Sequence, residues 1–461
     1  VGGAALRDRL EEAIKSAKAD YIEVRFEEAE SVSISFRGEE IDSIGSSKVR
    51  GGIVRALVRG GWGMAVFNEL DELSRSIQTA CENAALVGKE KSQLAEAEPV
   101  VDVIKADLSS PKIDFRDVPL EEKVKLTSEY NEIILKHHDK IETTSVHYGD
   151  SFRKVWYANS DGTYIEDERP AVHIYMTAVA RDGDNVQRGF ESAASHDGFE
   201  TVKDQHEKAE RAARRAVELL SAPPVQGGIY TVVLNPKLAG VFAHEAFGHL
   251  SEADFIYENP RMRQLLQIGR RFGTEELSIV DDGSMPGLYG SCKYDDEGVK
   301  TRKNYLIRNG VLVGRLHSRE TAAKMNESLT GNARALGYSH EPIVRMTNTY
   351  IEPRDAKFED MIHDIKLGVY ALDMVGGQTM TEMFTFSAAY GYMIRDGKVA
   401  ELVRDVVLTG NLFETLKNID MIGNDLKWSH GHCGKDGQQG LPTGTGSPHI
   451  RIQNVVIGGR K

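Results

Sequence analysis

The sequence predicts an α+β protein in two parts. Residues 1–222 read as an N-terminal α/β region of two helix–strands–helix units, and residues 227–461 as a C-terminal antiparallel, β-rich domain that carries one notable helix. Three observations predict this. Period-two apolar runs alternate with amphipathic helical stretches through the first half. Ser221-Ala222-Pro223-Pro224 then breaks the chain, because two prolines cannot continue a helix. Beyond Gly228, short strand-like runs and Asx-Gly turns dominate. At 461 residues the chain is long enough for more than one core, on a prior of roughly 150 residues per domain.

The first unit, residues 1–87, opens with an amphipathic helix over 6–17. Strands follow at 21–26 and 31–36, both alternating, and at 53–58 and 62–67, punctuated by Gly51-Gly52 and Gly60-Gly61. A helix is expected over 72–86, with Asp71 as N-cap and Gly88 past its end. Residues 88–118 are charged and contain Pro99 and Pro111, which suits a connector crossing the surface. The second unit, 119–222, repeats the order: a helix over 119–137, strands at 143–148, 153–158, 163–167 and 172–180, and a helix over 203–220. That order suggests a structural duplication without a residue-level repeat. In the C-terminal part, strands are expected at 229–234, 304–307, 311–316, 343–350, 391–394 and 402–408, with turns at Asn309-Gly310 and Asp396-Gly397. Residues 423–446 hold seven glycines, which suits a loop folded closely over something.

Composition excludes several classes. Hydrophobic residues at 40% and charged residues at 28% are those of an ordinary soluble globular chain, so disorder is not expected. There is no apolar run near the 18 residues that a membrane helix needs. Val1-Gly2-Gly3-Ala4-Ala5-Leu6 has neither the basic nor the apolar segment of a signal peptide. The net charge of −13 argues against phosphate-backbone binding, so no nucleic-acid partner is expected. Cys81, Cys292 and Cys433 lie far apart with no C-x-x-C, which fits a reducing compartment, by default the cytoplasm.

One constellation carries chemistry. Asn235-Pro236 is an N-cap followed by a proline at the first helical position, and Leu238, Val241, Phe242 and Leu250 supply an apolar stripe. On that helix lie His244, Glu245 and His249, an H-E-x-x-x-H pattern one residue longer than the H-E-x-x-H of zinc peptidases. At about 100° per residue, histidines five apart differ by about 140° and cannot share a metal on a regular helix. An i→i+5 π turn would restore the geometry, and Gly248 makes a local break easier. The alternative is that the two histidines are unrelated polar residues of an amphipathic helix. A zinc site needs a third ligand. Cys433, in Ser429-His430-Gly431-His432-Cys433-Gly434-Lys435, is the attractive candidate, with His430 and His432 in competition. Cys81 reads as core, and Cys292 has no evident partner. Gly434-Lys435-Asp436 fails as a Walker A end, and no G-x-S-x-G is present. Asp281-Asp282-Gly283 and Asp295-Asp296-Glu297-Gly298 lack EF-hand spacing and read as turns.

These motifs resemble the TldD/PmbA family. His244-Glu245-Ala246-Phe247-Gly248-His249, Asp295 to Gly298, Arg345-Met346-Thr347-Asn348-Thr349-Tyr350, Gly376-Gly377-Gln378 and Gly431-His432-Cys433-Gly434-Lys435-Asp436-Gly437-Gln438 follow the family's order across the C-terminal half. Residues 21–25 and 51–67 resemble its first domain. The resemblance implies a zinc metallopeptidase with ligands His244, His249 and Cys433 and Glu245 as catalytic base. It also implies dimers, either of two copies or with a paralogue lacking the histidine motif, and substrates that are unfolded or extended peptides. The name "modulator of DNA gyrase" travels with the family, but nothing in this sequence resembles a DNA-binding motif. The alternative reading is a non-enzymatic regulatory or binding protein.

Overall fold

The computed structural model describes residues 3–88, 92–109, 111–380 and 382–458. Strand accounts for nearly half of it, in the α+β arrangement expected. The two N-terminal units do not form two layers. They build one seven-stranded sheet, ordered Gly61–Phe67, Glu40–Val58, Tyr21–Arg37, Ile141–Asn159, Tyr164–Asp182, Val101–Ile104, with Asn185–Ser195 also on Tyr164–Asp182. The seam between the units is the antiparallel pairing of Tyr21–Arg37 with Ile141–Asn159.

Several sequence expectations change here. The paired runs 21–26 and 31–36, 143–148 and 153–158, and 163–167 and 172–180 are each one long strand. Polar residues between the runs break the apolar pattern but not the ladder, which runs on through them. The strand Asn185–Ser195 was not expected at all. The connector contains a strand, Val101–Ile104, parallel to Tyr164–Asp167; residues 89–91 and 110 of it lie outside the described residues. The helix Leu73–Val87 is preceded by a 3-10 turn, Leu70–Glu72, so Asp71 is not its N-cap; Glu69 and Glu72 form a capping box on that turn.

Four helices cover one face of the sheet in two apolar clusters. Leu6, Leu10, Leu73 and Ile77 pack on Val24, Phe26 and Trp156. Tyr130, Ile134, Ala209 and Ala213 pack on Tyr148, Ile174 and Met176. A period-two strand ordinarily keeps its other face wet. Here residues 21–27 are buried on both faces. Glu23, Arg25 and Glu27 press against the C-terminal region, where Arg25 donates to the carbonyls of Gly337 (2.7 Å) and His340 (2.8 Å).

The C-terminal region holds two larger sheets. One has the order Val311–Leu312, Lys303–Arg308, Ile279–Asp282, Asn348–Ile351, Gln438–Ser447, Lys427–Lys435. In the other, Leu367–Met380, Gly228–Leu234, Ile450–Gly458, Val407–Asn411 and Met383–Arg395 pair in turn, and Met383–Arg395 pairs back with Leu367–Met380 to close a ring. Pairing is mainly antiparallel, with parallel exceptions at Asn348–Tyr350 on Gly444–Gly446 and Gly368–Ala371 on Thr231–Leu234.

The glycine-rich tail is not a loop. Lys427–Lys435 and Gln438–Ser447 form an antiparallel hairpin, turning at Asp436-Gly437, both at positive φ. Its glycines serve close approach instead. A Cβ at Gly444 would lie 2.3 Å from Asn348 Oδ1, and one at Gly446 would lie 2.7 Å from the Trp428 ring. The helix Pro236–Ala243 lies across this hairpin, with Gly240 against the Gly446 backbone.

Candidate metal centre

The helix that carries the motif begins as its sequence requires. Asn235 Oδ1 accepts from the Leu238 amide at 2.9 Å, and Pro236 follows the cap. Leu238, Ala239, Phe242 and Ala243 bury its apolar stripe, and Phe242 meets Phe384 and Phe386 edge-on. The α-helix ends at Ala243, and His244–Gly248 is one π turn, followed by a 3-10 turn at His249–Ser251. This is the i→i+5 geometry that five-residue spacing demands. Gly248 does not unwind to provide it, since its φ and ψ are both −59°. It leaves room: a Cβ there would lie 2.0 Å from Met346 Sδ.

The π turn brings the two imidazoles together, with ring centroids 5.2 Å apart and planes at 84°. Cys433 comes from the hairpin, with Sγ 3.4 Å from His249 Nε2. One donor atom from each of His244, His249 and Cys433 lies within 4.8 Å of the other two. His244 Nδ1 is buried with no hydrogen-bond partner. Two imidazoles and a thiol, converging with an unsatisfied buried nitrogen, are the donor set that a zinc ion accepts. The residues therefore fit a metal. Glu245 reaches the same point from the side: its Oε2 is 4.0 Å from His249 Nε2, and the carboxylate is partly open to solvent.

Electrostatics agree with the geometry. Burial alone would raise the Cys433 pKa, but hydrogen bonds from His244 and His249 outweigh it and lower the thiol to about 4. Burial alone would lower that of His249, but Cys433 and Glu252 outweigh it and raise the imidazole to about 11. Each of the two groups favours the charged form of the other. The backbone of Cys433 is held by the fully buried Arg345, which donates to the Cys433 carbonyl at 2.8 Å.

The competing histidines face the other way. On a strand, neighbours alternate sides, and His430 and His432 turn from Cys433 towards the N-terminal sheet. His430 Nε2 meets Ser192 Oγ at 2.9 Å, and His432 Nδ1 meets Tyr175 Oη at 3.1 Å. Cys81 packs at the edge of an N-terminal apolar cluster. Burial pushes the Cys292 thiol up to about 12, and it belongs to no converging donor group among the described residues.

Sequence reasoning missed Glu252, Lys435 and Arg345. Glu252 Oε2 accepts from His249 Nδ1 at 3.1 Å, and Lys435 Nζ is 3.2 Å from the same oxygen. Their spacings were a usable signal: Glu252 is three residues from His249, and Lys435 is two from Cys433, on the same strand face.

The chain is similar to known proteins over nearly its whole length. Residues 227–459 match the PmbA/TldA metallopeptidase C-terminal domain, 113–220 its central domain and 22–84 its domain 1. A Synechocystis metalloprotease is 44% identical over 96% of both chains. A Methanothermobacter thermautotrophicus metalloprotease is 37% identical over 96% of both. A zinc metalloprotease TldD homolog of Saccharolobus solfataricus is 33% identical over 74% of this chain and 76% of that one. The crystal structure of TldE from Thermococcus kodakarensis shares the fold at a TM-score of 0.77 and 22% identity, over 99% of this chain and 100% of that one. With three domain matches in order and these identities over nearly the whole chain, the protein belongs to the PmbA/TldD family of metallopeptidases.

Proposed function

We propose that this metallopeptidase uses zinc held by His244, His249 and Cys433, with Glu245 as general base, to hydrolyse unfolded or extended peptides. The observation that carries the reading is the π turn, which converts an unusable five-residue spacing into two converging imidazoles opposite Cys433. Zinc in this site supplies Lewis acidity, lowering the pKa of water and polarising a carbonyl. Glu245 lies beside that point without belonging to the donor set. Its carboxylate takes the proton of the attacking water and returns it to the leaving amine. Burial of His244 and Cys433 keeps bulk water from the donor side, and the partly open Glu245 side is where a peptide enters.

The strand Lys427–Lys435 ends its sheet. An extended peptide added to that edge would be held by main-chain hydrogen bonds, with little side-chain preference. The working unit is a dimer, of two copies or with a paralogue lacking the histidines, and the compartment is the cytoplasm, where Cys433 stays reduced. No described helix is long and apolar enough to cross a membrane.

Glu245→Gln tests the division of labour. It is expected to retain about one zinc per chain and to lose hydrolysis by roughly a hundredfold or more. If it lost zinc as fully as His244→Ala, Glu245 would be a ligand and the assignment of the base would fall.

A further inference from the structure

His249 has two ring nitrogens, and they face different neighbours. Nε2 stands 3.4 Å from the Cys433 sulfur, and Nδ1 donates to Glu252 Oε2 at 3.1 Å. Glu252 is almost wholly buried, at 2% side-chain exposure. Lys435 Nζ lies 3.2 Å from the same Oε2 and donates to Asp254 Oδ1 at 2.7 Å and to the Val344 carbonyl at 3.0 Å. The hairpin that brings the sulfur therefore also brings the cation behind the carboxylate. Glu252 Oε1 is buried without a hydrogen-bond partner among the described residues.

A buried ion pair is weak evidence of stability, because desolvation consumes most of the attraction. Here one oxygen is shared between the lysine and the imidazole, and the other is idle. What this arrangement does achieve is orientation.

We propose that Glu252 and Lys435 are positioning residues that fix His249 with its proton on Nδ1 and its Nε2 lone pair turned to the metal. The inference rests on the zinc site proposed above. An imidazole whose Nδ1–H is held by a carboxylate presents Nε2 in one tautomer and one ring orientation, and is the more basic for it. Without Glu252 the ring is free to flip and to exchange its two nitrogens.

The test is zinc affinity in the full chain, by competition with a chelator of known strength at fixed pH, for the wild type, Glu252→Gln and Glu252→Asp. Glu252→Gln keeps the volume and removes the charge. It is expected to bind zinc 10- to 100-fold more weakly, as loss of an outer carboxylate partner does. Glu252→Asp keeps the charge and the lysine pair but draws the oxygens back by about 1.5 Å. It is expected to weaken zinc as well, whereas a merely structural pair would be rescued by it. Nitrogen-15 spectra of zinc-loaded, histidine-labelled protein give a second readout. A slowly exchanging His249 Nδ1–H is expected in the wild type and not in Glu252→Gln. Should Glu252→Gln fail to fold, Glu252→Asp and the wild-type spectrum still decide the matter. Wild-type affinity in both variants, or a His249 proton on Nε2, would overturn the positioning role. A wild type that binds no zinc would instead overturn the site itself.

Discussion

The turn at Asp295-Asp296-Glu297 and the centre at His244, His249 and Cys433 are both buried clusters of metal-binding side-chain types, and both lie in motifs of the same family. In the turn, all six carboxylate oxygens accept hydrogen bonds. Asp295 takes the amides of Glu297, Val299 and Ala333. Asp296 takes Arg169 and the Ala335 amide. Glu297 takes Arg55 and the Arg319 amide. Arg55 and Arg169 belong to the N-terminal sheet, so the turn joins the two regions of the chain. At the candidate metal centre, by contrast, donors converge on one another and buried polar atoms go unmet. A cluster in which every oxygen already holds a backbone amide or an arginine is fixed as structure. A convergent, unsaturated cluster is built for something added.

The sharpest way to break this comparison is Cys433→Ser. Removal of an outer partner of a zinc ligand costs 10- to 100-fold, so removal of the ligand itself should cost roughly a hundredfold or more in zinc affinity and hydrolysis. Cys81→Ser and Cys292→Ser should leave both intact, since neither thiol reaches the donor set. Zinc stoichiometry in the three variants, purified identically, decides it. Full zinc occupancy in Cys433→Ser would mean that convergence at this site is accidental.

Asp296→Asn probes the other cluster and should act on stability instead. Burial would raise this carboxyl, but Arg169 and Arg25 hold it well below the usual carboxylate range. Removing the charge leaves two arginines facing a neutral amide in a buried interface. Breaking a buried pair in this way costs about 3 kcal/mol, visible as an earlier denaturant midpoint. Zinc affinity of the folded variant should not change. Loss of zinc without loss of stability would show that the turn serves the site rather than the joint.

What could be read from the sequence follows the same division. The start of the motif helix was legible to the residue, because Asn235-Pro236 marks it, and the five-residue histidine spacing called for a bulge, a kink or an end before His249, of which the structure has the π turn. Cys433 was legible as a candidate but not as a strand residue. Glycine density looks the same in a loop and in a hairpin whose neighbours press on its backbone, as Asn348 and Trp428 do. Strand lengths were underestimated, because Glu27 to Glu30 interrupts the apolar pattern without interrupting pairing. The buried charged face of Glu23, Arg25 and Glu27 was not legible, since its partners are distant in the chain: Arg55 and Tyr157 for Glu23, Arg153 for Glu27, and for Arg25 the Gly337 and His340 carbonyls some 300 residues away.

A third cluster, where the N-terminal sheet meets the hairpin, gives the smallest predicted effect. His147 and His173 on the N-terminal sheet stack at 5.4 Å, and His173 meets His432 of the hairpin at 6.2 Å, ring to ring. Burial, with the neighbouring His147, His432 and His430, lowers the His173 pKa to about 3, and burial with Lys208 and Lys237 lowers that of His430 to about 4. These rings are neutral in the folded chain at pH 6, whereas in the unfolded chain a histidine protonates near 6.5. Between about 3 and 6.5 the unfolded state therefore binds more protons, and stability must rise with pH across that window. It is fully present above 6.5 and is lost as the pH falls towards 4. For His173 the loss by pH 4 should be roughly 2 kcal/mol after allowance for partial solvent access. His173→Gln should flatten the pH dependence of the unfolding free energy by about that amount, while leaving its value at pH 8 nearly unchanged. The measurement belongs on metal-free protein, so that zinc release in acid does not add its own slope. An unaltered slope would mean that this cluster takes up protons in place, and that it resembles the convergent site more than the saturated one.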